Sequence, residues 1–235
     1  MSHANPPRRS APQPLVFETT TRRLVVAEAG LVDTLHEAAA VIDQGGLVVF
    51  PTESFYGLAA NPRDPDAVAR LVAAKGRGAS KAIPLIAATV GHVRAIGDLP
   101  PAAVKLAEAF WPCPLTMAIE PRAAWPAAIL GGTGTVGVRV SDHEVARRLA
   151  AAAGGLITAT SANHAGAPPV TAVDDLDRQL VAGTQLIVDS GLCGGGAPST
   201  VVGFDGDRVT VLRSGAVDLN ALKAVVGRKL RIRRD

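Results

Sequence analysis

Aromatic residues make up only 3% of this 235-residue chain. Its core must then be filled by Ala, Val and Leu, which a hydrophobic content of 48% supplies. Cysteine is scarcer still, with Cys113 and Cys193 the only two. They are too few for a disulfide scaffold and lack zinc-site spacing, so a reduced, cytoplasmic setting is expected. No apolar run reaches transmembrane length, and the Pro- and Arg-rich start has no signal-peptide core, so no membrane association is expected. His3, His36, His92, His143 and His164 make no pair at metal spacing, and H-E-x-x-H is missing. No metal held by protein side chains is expected. Ser161 does not sit in a G-x-S-x-G elbow, which leaves a hydrolase nucleophile unsupported. Ser199-Thr200 lacks the preceding Gly-Lys of a P-loop.

Positive charge is present, at a net +3, but it is concentrated at the ends. Arg8, Arg9, Arg22 and Arg23 lie in the first 23 residues, and Arg228, Lys229, Arg231, Arg233 and Arg234 in the last eight. Without these ends, 15 basic residues face 19 acidic ones, a body near −4. Residues 1–23 read as a disordered tail, 24–227 as one catalytic domain, and 228–235 as a basic tail. An acidic body and a tail without stacking aromatics predict weak direct tRNA binding at most.

What is there is an alternation of short apolar runs and helical patterns. Leu47 to Phe50 is long enough for a buried strand, and Pro51 ends it. Thr52, Glu53 and Ser54 follow where α/β sheets bind ligands, and Thr52 is either a ligand or the cap of a short helix through Leu58. A helix is expected from Val32 to Ile42, stopped by Gly45-Gly46, and another from Asp64-Pro65 to Lys75. Strands are expected at Ile83–Ala87, Leu115–Ile119, Thr135–Val140, Leu156–Ala159 and Leu186–Asp189, with a hairpin of Val201–Phe204 and Val209–Leu212. Helices are expected over 102–110, through Ala152 from a Ser141–Glu144 capping box, over 173–180 and over 219–226. The fold class is α/β, a twisted mixed sheet with flanking helices.

Polar residues gather where these elements end. Lys75 and Arg77, separated by Gly76, suit an anion such as triphosphate, or complement the dipole of the helix they end. Thr158 to Asn163 offers three hydroxyls and an amide for phosphate or ribose, or a cap or Asx turn. Gly194-Gly195-Gly196 is a flexible turn or a backbone nest. Arg139 lies inside an apolar strand, where a charge needs a partner or a ligand. Arg213, at the end of the last hairpin, is an anion ligand or a surface cation.

In this order the motifs resemble those of the YrdC-type family, the threonylcarbamoyl-AMP synthases. The matching pieces are Pro51-Thr52-Glu53-Ser54-Phe55-Tyr56-Gly57, Lys75-Gly76-Arg77, Trp111-Pro112-Cys113-Pro114-Leu115-Thr116, Val138-Arg139-Val140, Thr160-Ser161-Ala162-Asn163, Ser199-Thr200-Val201-Val202 and Leu212-Arg213-Ser214-Gly215. They span roughly residues 35 to 217. The resemblance implies a YrdC-like domain with a central, positively lined cavity. It implies a nucleotidyltransferase that turns ATP, L-threonine and bicarbonate into threonylcarbamoyl-AMP and pyrophosphate, with Mg²⁺ accompanying ATP. Downstream enzymes would pass the threonylcarbamoyl group to tRNA. By position, L-threonine contacts fall on Thr52, Arg139, Ala159 and Ser199. ATP contacts fall on Lys75, Arg77, Thr135, Ser161, Asn163 and Arg213, with Lys75, Arg77, Ser161 and Asn163 as the catalytic set. The chain departs from the pattern at Gly78 and Thr160, where Pro is frequent, at Cys113, where Gly is usual, and at Ala88, where longer members carry a threonine-contacting His. The extra C-terminal domain of longer members is expected to be absent. Alternatives are a double-stranded RNA- or tRNA-binding module of the same fold, and a paralogue catalysing a different carbamoyl transfer.

Overall fold

The computed structural model describes residues 21–76 and 81–232. Arg77, Gly78, the last three residues and the first twenty, expected to be disordered, lie outside the described residues. Strand β1 (Arg22–Val25) comes first, then a single turn, α1 (Val26–Ala29), and α2 (Leu31–Asp43). Helix α2 buries Leu35, Ala38, Ala39 and Ile42 at helical spacing, and the chain leaves it through Gly45 at φ +79°. β2 (Val48–Phe50) and β3 (Gly57–Ala59) then pair antiparallel, Phe50 opposite Gly57. The short helix that Thr52 could cap, through Leu58, is therefore replaced by a turn and a strand. The Thr52 hydroxyl donates to the Phe55 carbonyl at 2.6 Å and accepts from the Phe55 N–H at 3.3 Å. A hydroxyl engaged this locally competes with helix formation.

Helix α3 (Pro65–Ala74) starts as the sequence predicts: Asp64 Oδ1 accepts from the Asp66 N–H at 2.8 Å, and Pro65 fills the first position. After β4 (Leu85–Ala87) comes α4 (Val90–Ile96), capped by Thr89, which the sequence reading does not contain. Then follow α5 (Pro101–Phe110), β5 (Leu115–Ile119), the single turn α6 (Ala127–Leu130), β6 (Val136–Arg139) and α7 (Glu144–Ala152). The expected Ser141–Glu144 capping box does not form. His143 occupies the N-cap, and the Ser141 hydroxyl is given to Glu53 instead. β7 (Leu156–Thr158) and β8 (Thr160–Ser161) are separated by Ala159 alone. The single helix expected over 173–180 is a 3-10 turn, Val173–Asp175, followed by α8 (Arg178–Ala182). Asp177 divides them by accepting from the Gln179 and Leu180 N–H groups and starting a new helix. β9 (Leu186–Asp189), β10 (Thr200–Asp205), β11 (Arg208–Arg213), α9 (Leu219–Val226) and β12 (Leu230–Ile232) complete the order.

The strands form two mixed sheets where one was expected. The five-stranded sheet has the order β1-β9-β2-β3-β8, the seven-stranded one β12-β11-β10-β5-β6-β4-β7. Helices α2 and α7 pack together between β2 and β9 of the first sheet and β4 and β7 of the second, burying Leu35, Ala38, Ala146, Leu149, Phe50 and Ile157. Alanines at these positions let the helices approach closely, which is how a core with few aromatics reaches density. The chain crosses between sheets at Ala159, because β7 pairs with β4 and β8 with β3. Buried Thr158 ties the crossing, donating to the Leu58 carbonyl at 3.1 Å and accepting from the Ala60 N–H at 2.8 Å.

Both presumed tails are partly built into these sheets. Arg22 and Arg23 belong to β1, parallel to β9, and Arg23 donates to Asp189 Oδ2 through Nη2 at 2.6 Å and Nε at 2.9 Å. At the other end Leu230 pairs opposite Val209, and Lys229 meets Asp207 at 2.7 Å. Local composition hid both strands, since short Arg-rich segments next to a chain end read equally as solvated.

Candidate functional site

A cleft of about 580 Å³ opens where the two sheets meet. Its walls come from Thr52 after β2, Lys75 and Gly76 after α3, Lys81 to Pro84 before β4, Arg139 at the end of β6, Ala159 to Ser161 at the crossing, Asn163, Ser199 before β10, and Arg213 at the end of β11. Among the described lining residues are four cations, Lys75, Lys81, Arg139 and Arg213, and no Asp or Glu.

Lys75 is the C-cap of α3 and is 3% exposed. Its Nζ donates to the Asn163 carbonyl at 2.8 Å and to the Ser161 carbonyl. The ammonium thus clamps the end of β8 rather than only facing its own helix dipole. Ser161 Oγ donates to Asn163 Oδ1, and Asn163 Nδ2 to the His164 carbonyl at 3.0 Å. The hydroxyl, amide and ammonium form one connected patch on the cleft wall.

On the opposite side Arg139 Nε donates to Glu53 Oε1 at 2.9 Å, and the Ser141 hydroxyl donates to Glu53 Oε2 at 2.5 Å. Burial alone would raise the Glu53 carboxyl; the Arg139 charge and the Ser141 hydroxyl outweigh it and hold Glu53 below the usual carboxylate range. Arg213 Nη2 donates to Ser199 Oγ at 3.1 Å and to the Ser199 carbonyl at 2.8 Å, while Ser199 Oγ lies 2.9 Å from Thr116 Oγ1. Burial and then the neighbouring Arg139 charge pull Arg213 below its usual range. A guanidinium whose charge is disfavoured in this way makes a place where an anion is stabilised.

The cleft therefore gathers Thr52, Lys75, Arg139, Ala159, Ser161, Asn163, Ser199 and Arg213. Thr135 is not on its wall; its hydroxyl lies 3.0 Å from Thr133 Oγ1 in the loop before β6. Arg77 is outside the described residues. Ala88 is a buried core residue whose N–H donates to the Gly155 carbonyl at 2.9 Å. The glycine turn does not present a nest to the cleft. It packs behind the Thr52 turn, the Gly195 N–H donating to the Ser54 carbonyl at 2.7 Å and Tyr56 Oη to the Gly191 carbonyl at 2.7 Å. Sequence reasoning gave no site role to Thr116 or Lys81, read Ser141 as a helix cap, and placed Glu53 at a strand end without a partner. Glu53 was visible as a lone carboxylate after a strand, but its partners are distant in the chain. Burial pushes the Cys113 thiol up to about 11 and raises Cys193 as well. Among the described residues no cluster of His, Cys, Asp and Glu could hold a metal ion, and no helix is long and apolar enough to cross a membrane.

An α/β fold gathers four cations, with hydroxyls from both sheets, around one cleft whose chemistry suits small anionic ligands. The family model Sua5/YciO/YrdC, described as telomere recombination, matches residues 40–215, and the chain belongs to this family. It is 36% identical over 191 residues to a threonylcarbamoyl-AMP synthase of Pyrococcus abyssi, covering 81% of this chain and 56% of that protein. It is also 36% identical over 168 residues to the threonylcarbamoyl-AMP synthase of Halorhodospira halophila, covering 71% of this chain and 88% of that one. The crystal structure of Pyrococcus abyssi Sua5 complexed with L-threonine matches with a TM-score of 0.81 and 33% identity, over 92% of this chain and 63% of that chain. This chain thus spans little more than half the length of the Pyrococcus relative. The relatives' names favour neither an RNA-binding module nor a different carbamoyl transfer.

Proposed function

We propose that this protein is a threonylcarbamoyl-AMP synthase, a nucleotidyltransferase that makes threonylcarbamoyl-AMP and pyrophosphate from ATP, L-threonine and bicarbonate. The observation that carries the reading is the convergence of Lys75, Arg139, Ser161, Asn163, Ser199 and Arg213 on one cleft, although they are scattered along the chain. A two-sided cationic cleft suits two anionic substrates held against each other. Relatives of that name, and L-threonine in the Pyrococcus Sua5 complex, support the substrate assignment.

In this reading the threonine amine captures bicarbonate, with loss of water, to give a carbamate. A carbamate oxygen then attacks the α-phosphorus of ATP, and the bond to the pyrophosphate oxygen breaks. No protein nucleophile is required. Arg139, Thr52, Ser199 and the backbone at Ala159 hold threonine; Lys75, Arg77, Ser161, Asn163 and Arg213 hold ATP and its developing charge, while Thr135, off the cleft wall, is left without that role. Lys75, Arg77, Ser161 and Asn163 form the catalytic set. Mg²⁺ enters as MgATP. A described wall of cations, hydroxyls and carbonyls, with no lining carboxylate, fits an ion carried by the substrate's phosphates. The adenylate then passes, in the cytoplasm, to enzymes that transfer the threonylcarbamoyl group to tRNA, and this chain's own contact with tRNA is weak.

The test is mass spectrometry of the product formed from ATP, L-threonine and bicarbonate, together with pyrophosphate release. An adenylate of threonylcarbamoyl mass is expected. Intact ATP binding without that product would overturn the assignment.

A further inference from the structure

Glu53 and Arg139 form the most buried of the ion pairs among the described residues, with side-chain exposures of 12% and 7%. The pair bridges the two sheets, since Glu53 follows β2 and Arg139 ends β6. Burying two charges is costly, and such a pair seldom repays the cost in stability alone. Its geometry indicates another use. Arg139 spends only Nε on Glu53, and neither Nη atom has a hydrogen-bond acceptor among the described residues. Arg139 lines the cleft whereas Glu53 does not. A guanidinium pinned by Nε from behind presents its Nη edge forward, and that edge matches a carboxylate with two parallel hydrogen bonds. Glu53 is itself held, by the 2.5 Å bond from the Ser141 hydroxyl, so the aim of Arg139 does not depend on a loose partner.

The charge pattern adds a second consequence. Arg139 is a lining cation backed by a carboxylate, Glu53. At the Arg139 end of the cleft part of the positive charge is therefore already balanced by Glu53. At that end a monoanion is well matched, while a dianionic phosphate meets the nearby Glu53 charge.

We propose that Glu53 is a positioning and specificity-determining residue, which fixes the aim and the effective charge of Arg139 so that this end accepts an amino-acid carboxylate and turns away phosphate. Identifying that carboxylate as threonine's rests on the function proposed above; the discrimination itself does not.

The experiment compares the full chain with Glu53→Gln, which keeps the shape and removes the charge. Two readouts are taken. In the first, steady-state synthesis gives KM for L-threonine and for ATP. The variant is expected to raise the threonine KM by about tenfold or more and to leave the ATP KM within about twofold. A change of both constants by the same factor, or of neither, overturns the proposal. In the second, inorganic phosphate is titrated calorimetrically without any other substrate. Glu53→Gln is expected to bind phosphate about tenfold more tightly than the wild type, and the gain should vanish in Glu53→Gln/Arg139→Ala. Equal phosphate affinity, or a gain that persists without Arg139, overturns it. If wild-type protein shows no threonine-dependent synthesis, the functional assignment fails while the phosphate titration still decides the role of Glu53. Should Glu53→Gln fold poorly, Ser141→Ala removes only the hydroxyl that holds Glu53. It should raise the threonine KM about threefold with ATP unaffected, and an unchanged threonine KM counts against the proposal.

Discussion

Lys75 Nζ donates to the Asn163 carbonyl at 2.8 Å across 88 residues of sequence, joining the end of α3 to the strand crossing. This one bond brings two polar stretches, Lys75-Gly76 and Ser161-Ala162-Asn163, to a single wall.

Lys75→Met should therefore act twice. It leaves the Ser161 and Asn163 carbonyls short of a donor, costing about 2–4 kcal/mol in urea unfolding. It also removes a cation from the ATP side, lowering synthesis by about a hundredfold. Lys75→Arg should not restore activity, because the guanidinium is too wide for a site that encloses one ammonium. Wild-type turnover in either variant would remove Lys75 from the catalytic set.

Serine differs from threonine by one methyl group. A small apolar pocket discriminates such a difference by about 1–3 kcal/mol, so pyrophosphate release should prefer threonine by about ten- to two-hundredfold. Equal kcat/KM for the two amino acids would point to another substrate.

Gly215 closes against the segment that carries Ser199. A Cβ there would meet the Pro198 carbonyl oxygen at 2.2 Å and the Thr200 nitrogen at 2.6 Å, both backbone atoms. Gly215→Ala is expected to cost about 2–3 kcal/mol and to weaken synthesis by displacing Ser199. Calorimetry and kinetics on the same preparation check both effects; an unperturbed variant would show that this loop yields freely.

Asp189 anchors β1 through Arg23. Burial pushes its carboxyl up, but the Gly191 N–H, Arg23 and the Tyr56 hydroxyl together hold it below the usual range. A carboxyl depressed by folding contributes stability that is complete above its unfolded pKa, about 3.9, and is lost as pH falls through the folded value. The Tm difference between wild type and Asp189→Asn should be largest near neutral pH and shrink below about pH 4. A difference that stays constant down to strong acid would contradict this anchoring.

Ending the chain after Gly227 removes β12 and the Lys229–Asp207 pair. Because these residues extend a sheet, Tm should fall by about 5 °C. Synthesis measured well below that Tm should persist, since among the described residues none lining the cleft lies beyond Arg213.

Elements with a chemical mark at each end were legible in the sequence. Asp64-Pro65 and Lys75-Gly76 bracket α3, and Asp218 and Gly227 bracket α9, because capping is decided by residues adjacent in the chain. The convergence of Lys75, Ser161, Asn163, Arg139, Ser199 and Arg213 followed from the family motifs, and each stands where a strand or helix ends. What stayed hidden depends on distant partners. Ser141 looks like a cap until Glu53, 88 residues away, takes its hydroxyl. A strand of two residues, β8, has no periodicity to read, and the division into two sheets is fixed by pairings that no local pattern encodes.

The single residue between β7 and β8 has a consequence for how this protein can be altered. Since Ala159 hands the chain from one sheet to the other and the cleft straddles that point, no contiguous fragment inherits a working site. Chimeras of two relatives will tolerate junctions in outlying helices, but a junction near Ala159 has to reproduce the docking of both sheets at once. A crossover placed at Ala159 would therefore join one parent's β7–β4 pairing to another parent's β8–β3 pairing.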